Sequence, residues 1–150
     1  MKLSSLNTIL ADTSSYFCFT RKYLALDQVI AVWRQMAGGK CEFVLALDSR
    51  TRPFKIKECQ SIPEGKYNQL ISVLVENGAP SLESQDERLI ICDFDDHFSY
   101  KSQDGVKNEF YILGSEAMDE RVTEVTDYLY KEYPLLDKTL SQIALDVDVY

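Results

Sequence analysis

The sequence predicts an α+β fold: a single domain over residues 1–150, with an antiparallel sheet of hairpin and meander strands packed with three to five helices. Three observations carry this. β-rich runs come in close pairs, CEFVLALD (41–48) with PFKIKEC (53–59), and FSYKS (98–102) with VKNEFYIL (106–113) around Gln103-Asp104-Gly105. Such spacing makes hairpins, and hairpins make antiparallel sheets. Helical stripes fall in blocks between the strand groups, so β-α-β crossovers and a doubly wound sheet are not expected. A chain of 150 residues, 45% of them apolar, is the size of one domain that buries about 70% of its unfolded surface.

Taken in order, residues 4–11 read as a short helix and YFCFT (16–20) as a strand. Asp27 can N-cap a helix carrying Val29, Ile30, Trp33 and Ala37 on one face, with Gly38-Gly39 as its stop. The 41–48 and 53–59 strands turn at SRTR, and in FKIKE the alternation points Phe54 and Ile56 inward and Lys55 and Lys57 outward. Pro63 opens a helix with a stripe of Tyr67, Leu70, Ile71, Leu74 and Val75, ended by Asn77-Gly78. RLIICDF (88–94) reads as a strand leading into the second hairpin. Ser115 caps the longest helix, 116–133, with Met118, Val122, Val125 and Leu129 as its buried seam. Tyr133-Pro134 breaks it, because a residue before proline avoids the helical region. A shorter helix then runs through Ala144, and the tail LDVDVY alternates like an edge strand.

Composition narrows the setting. The longest apolar runs, VIAVW (29–33) and FVLAL (43–47), are five residues long, against about 20 for a membrane span. The N-terminus lacks an apolar secretion core, so a cytoplasmic location is expected. Of the four cysteines (Cys18, Cys41, Cys59, Cys92) none forms a C-x-x-C pair; they read as reduced core residues. Charge is polarised: residues 1–75 hold 10 basic and 6 acidic side chains, and residues 76–150 hold 6 basic and 18 acidic. So acidic a half disfavours direct nucleic-acid binding and favours a basic protein partner.

The segment CDFDDHFSY (92–100) gathers Asp93, Asp95, Asp96 and the only histidine, His97. Asp93 and Asp95, two apart on a strand end, point to one side and could share a hard cation such as Mg²⁺. An apolar strand followed by D-x-D resembles the first motif of haloacid-dehalogenase-type phosphotransferases and the D-x-D of many glycosyltransferases. The remainder of the chain argues against both: the 57 residues after Asp93 read as hairpin and helix, not as the further parallel strands that carry the later lysine and aspartates of the former, and the whole chain is smaller than the nucleotide-binding domain of the latter. With no G-x-G-x-x-G, no phosphate-binding lysine loop, no G-x-S-x-G and one imidazole, no cofactor and no enzymatic activity are expected. The segment reads instead as a charged strand end.

The 116–133 helix says more. Glu116, Glu120, Glu124 and Asp127 fall on one face, where like charges four apart cost a few tenths of a kcal/mol. Tyr128, Tyr130 and Tyr133 crowd its end. Carboxylates beside tyrosines suit recognition of an Arg/Lys-rich surface. The expected function is therefore an inhibitor or immunity-type, toxin-neutralising protein that covers a basic nuclease or nucleic-acid-binding partner. The docking set is Asp93, Asp95, Asp96, His97, Glu116, Glu120, Glu124, Asp127, Tyr128 and Tyr130. The alternatives are a non-inhibitory adaptor or subunit domain, and a small metal-dependent hydrolase using Asp93 and Asp95. The basic hairpin Arg50, Arg52, Lys55 and Lys57 reads as a solvated strand face; it could also attract the acidic half of a second copy, giving a homodimer.

Overall fold

The computed structural model describes residues 2–23, 27–49, 52–86, 94–113 and 119–144. The chain forms α1 (Lys2–Leu10), β1 (Thr13–Tyr23), β2 (Gln28–Met36), β3 (Cys41–Asp48), β4 (Lys55–Ile62), α2 (Glu64–Glu76), a 3-10 turn (Ala79–Ser81), β5 (Gln85–Asp86), β6 (Phe94–Lys101), β7 (Lys107–Leu113), α3 (Glu120–Glu132) and α4 (Pro134–Ala144). The strands lie in the order β4-β3-β2-β1-β6-β7-β5. All pair antiparallel except the two-residue β5, which runs parallel to β7. This is the expected α+β fold. The expected strands at 88–93 and 145–150, and the cap at Ser115, fall outside the described residues.

The segment 27–37 is where the expectation fails. It is not a helix but β2, paired residue for residue with β1 on one side and β3 on the other. Val29, Ile30, Ala31, Val32 and Trp33 are all buried, because both faces of the sheet are covered here. A strand buried on both sides shows no alternation, and a short apolar run then fits either periodicity. Gly38-Gly39 is accordingly a hairpin turn, with Gly39 at φ 97° and its N–H donating to the Met36 carbonyl at 2.8 Å. A side chain disfavours that left-handed conformation.

The larger core lies on the face covered by α2, α3 and α4, here the helix face. Phe17 and Phe19 of β1, Trp33 of β2, Phe43 of β3 and Phe98 of β6 meet Leu70 and Leu74 of α2 and Leu129 of α3. Tyr133, at the α3–α4 break, packs edge-on to Trp33 with centroids 5.2 Å apart. On the opposite face, here the α1 face, Ile9 packs with Cys18, Ile30, Val32, Val44 and Ala46. Arg34 Nη1 donates to the Ile9 carbonyl at 2.5 Å, while its Nη2 pairs with Glu42 at 2.8 Å. A cation thus closes the carbonyl end of α1, as helix polarity favours.

The sheet edges differ. At β7 the Ser84 hydroxyl accepts from the Tyr111 N–H at 3.1 Å, and Asn108 Nδ2 donates to the Ala79 and Leu82 carbonyls at 2.8 and 3.0 Å. Among the described residues no strand pairs with the outer edge of β4. The expected inward position of Ile56 is not found: it is 51% exposed on this edge strand, although it stands opposite the buried Ala46. Cys18 and Cys41 are buried as expected, but Cys59, on this edge strand, is exposed, and Cys92 lies outside the described residues. α2 begins after Pro63, buries Tyr67, Leu70 and Leu74, and ends at Gly78, with φ 75°; Val75 of the expected stripe is 52% exposed. No helix among the described residues is long and apolar enough to cross a membrane.

Trp33→Ala should lower unfolding stability in urea by about 3–5 kcal/mol through cavity formation. Ile56→Ser should stay within about 0.5 kcal/mol, as surface changes do.

Candidate functional site

The acidic segment enters the described structure at Phe94, the first residue of β6; Asp93 and Glu116 lie outside the described residues. Alternation along β6 divides the rest between the two faces of the sheet. Asp96 stands opposite Arg21 of β1, whereas Asp95 stands opposite Lys22 and His97 opposite Thr20.

Asp96 is on the helix face and is engaged internally. Arg21 Nε donates to Asp96 Oδ1 at 2.8 Å and Nη2 to Oδ2 at 3.0 Å, a two-pronged pair. The same Nη2 donates to the Tyr130 hydroxyl of α3 at 3.1 Å. The guanidinium lies 3.8 Å from the centroid of the Phe94 ring. The two charged side chains are only 14% and 13% exposed. Burial alone would lower the Arg21 pKa, but the hydrogen bonds and charge of Asp96 outweigh it and hold the pKa above its ordinary value. Forked geometry with further donors satisfied is what makes a pair this far from water tolerable.

His97 lies on the α1 face, half-buried, with its ring centroid 5.9 Å from that of Tyr111. Burial and the charge of Lys22 push its pKa below the ordinary value, against the opposite pull of Asp95 and Asp96. Among the described residues no group of three or more His, Cys, Asp or Glu side chains is placed to hold a metal ion.

α3 presents a second acidic surface. Asp119, in extended conformation, caps it by accepting from the Arg121 N–H at 2.8 Å, so the cap is four residues beyond the expected Ser115. Val122, Val125 and Leu129 are buried against the sheet, as the spacing predicts. On the opposite side Glu120, Glu124 and Asp127 are all exposed. Arg121, the cation nearest Glu120 and Glu124 in the chain, is committed to Asp119 with an Nη2–Oδ2 distance of 2.6 Å, and among the described residues no ion pair joins Lys131, four residues beyond Asp127, to the row. The tyrosines sit lower: Tyr128 and Tyr130 are half-buried against the core and Tyr133 is buried. The structure thus brings Asp96 and Tyr130 together around Arg21, and leaves Glu120, Glu124 and Asp127 as a separate solvent-facing row.

No protein-family model matches the chain, and a search of curated proteins finds no match.

Arg21 was not anticipated as part of this constellation. Its partner is 75 residues away in the chain, and only the β1–β6 pairing joins them; an RK pair ending an aromatic strand is the sole local hint.

Two outcomes follow from these contacts. Arg21→Met or Asp96→Asn alone should each cost about 3 kcal/mol, since either leaves a poorly solvated partner, while Arg21→Met with Asp96→Leu should recover most of the loss; chemical denaturation measures all three. For His97, whose folded pKa lies below its unfolded value near 6.5, the unfolded chain takes up more protons as pH falls. Stability should therefore decline on acidification from about pH 6.5 and level off below the folded pKa. Between pH 7.5 and 5.5, His97→Gln should lose less stability than the wild type.

Proposed function

We propose that this chain works by binding another protein, as an inhibitor or immunity-type domain that neutralises a basic nuclease or nucleic-acid-binding partner. The docking surface is the solvent face of α3. The observation that carries the reading is the row Glu120, Glu124 and Asp127: exposed, on one side of one helix, and not paired with a cation among the described residues. Like charges at this spacing work slightly against the helix. They earn their place if a positive surface meets them. A basic partner is then drawn in by the summed field of the acidic half of the chain, and carboxylates cover the cations that would otherwise hold substrate phosphates. Tyr128, half-buried beside this row, supplies an aromatic margin of the kind found in interface cores.

The same surface serves an adaptor that binds and leaves its partner active, and stoichiometric addition to a purified partner separates the two. Loss of the partner's activity identifies an inhibitor; tight binding with activity intact identifies an adaptor. The docking face itself is tested by Glu120→Lys, Glu124→Lys and Asp127→Lys combined. Stopped-flow association should slow at least about tenfold at low salt, and the dependence on ionic strength should flatten, with the thermal melt preserved. An unchanged association rate would eliminate α3 as the docking face.

A further inference from the structure

The α1 face holds a feature that the docking surface does not use. α1 covers this side of β1, β2 and β3 and stops short of β6 and β7, leaving a groove of about 560 Å³ between the helix and the outer strands. That volume lies within the roughly 300–1,000 Å³ of small-molecule sites. Leu6 and Leu10 of α1 make one wall, and Tyr16 of β1 contributes an aromatic ring. Strand register lays the floor in rows: Thr20, His97 and Tyr111 stand side by side, and next to them Cys18, Ser99 and Glu109.

The charge of this lining is simple. Among the described residues Glu109 is the one acidic side chain that lines it and no lysine or arginine does, while Lys101 and Lys107 stand beside Tyr16 in the adjoining row. Among the described residues Glu109 has no cation partner. His97 is biased toward the neutral form by burial and Lys22. The Cys18 thiol, pushed up to about 11 chiefly by burial, is un-ionised. The groove is therefore a partly apolar recess with one carboxylate and several neutral hydrogen-bonding groups.

We propose that this groove binds a small organic ammonium ion with an aromatic or branched apolar body, its charge on Glu109 and its body against Leu6, Leu10 and Tyr16. The neutral hydroxyl of Ser99, directly beside Glu109, accepts a remaining ammonium proton, and the Tyr16 and Tyr111 rings favour a cation near their faces. Among the described lining residues an anion meets no positive side chain. A peptide strand cannot add to the middle of the floor, because β6 is paired on both sides, by β1 and by β7. A helix occupies about 400 Å³ per turn at its usual diameter and pitch, so little more than one turn would fit.

Because His97 is the only histidine, its imidazole proton resonances report on the groove without ambiguity. Phenethylamine, 3-phenylpropanamide and 3-phenylpropionate, similar in shape and differing in charge, are titrated at fixed pH into the intact chain. Phenethylamine should give a saturable His97 shift, with the carboxylate at least tenfold weaker and the amide between them. Glu109→Gln, an exposed and fold-neutral change checked by its melting temperature, should erase the preference for amine over acid. A His97 resonance that does not move saturably with the amine overturns the proposal. So do equal affinities for amine and acid, or a preference that survives Glu109→Gln. The groove and α3 lie on opposite sides of the sheet, so neither result depends on the docking face.

Discussion

The whole sheet hangs on the two-sided pairing of β1. Its β2 partner follows it closely in the chain, but its β6 partner does not: Phe19 pairs with Phe98 and Tyr16 with Lys101. Without the β1–β6 ladder the chain has two local assemblies, the β1–β4 meander and the β6–β7 hairpin. Bringing them together incurs the closure entropy of a long loop, and non-local contacts must repay it. The repayment is visible along the seam. Phe98 stacks with Phe17 and Phe110 and meets Phe19 edge-on, and at its end the Arg21–Asp96 pair closes over Phe94. A two-pronged ion pair resists a register slip, which would move Asp96 to the other face and leave Arg21 poorly solvated.

That seam also distributes the acidic residues. A run of aspartates looks like one negative patch when read as a string, but β alternation divides it. Asp96 turns to the helix face and is neutralised by Arg21, while Asp95 turns to the α1 face opposite Lys22. α3 does the reverse: helical spacing gathers Glu120, Glu124 and Asp127 onto one side while its apolar seam holds it to the sheet. The charge open to a partner is therefore set by secondary structure more than by local density. α3 supplies an ordered surface row, and β6 supplies a structural joint.

Much of this was legible because local chemistry decides it. The β3–β4 and β6–β7 hairpins, the Pro63 start and Gly78 end of α2, the Tyr133-Pro134 break and the Val122–Val125–Leu129 seam depend on turn residues and periodicity. VIAVW fits a helix as well as a strand because cover on both faces removes its alternation, and Gly38-Gly39 serves a hairpin as well as a helix end. Alternation in FKIKE points Ile56 to the face it takes, opposite Ala46, but not how far the edge of that face lies open to solvent. The β1–β6 contact left no local trace, so the partner of Asp96 and the groove beside His97 were out of reach. Both are products of strands far apart in the chain meeting in the sheet.

The central claim is that the available negative surface is on α3 and that Asp96 is held within the structure. Titrating the isotopically labelled protein with a short oligolysine at low salt, while following side-chain carboxylate resonances, tests it directly. The largest shifts should fall at Glu120, Glu124 and Asp127, with Asp96 nearly silent until Arg21 is removed. Shifts concentrated at Asp96, with the α3 carboxylates unmoved, would contradict it.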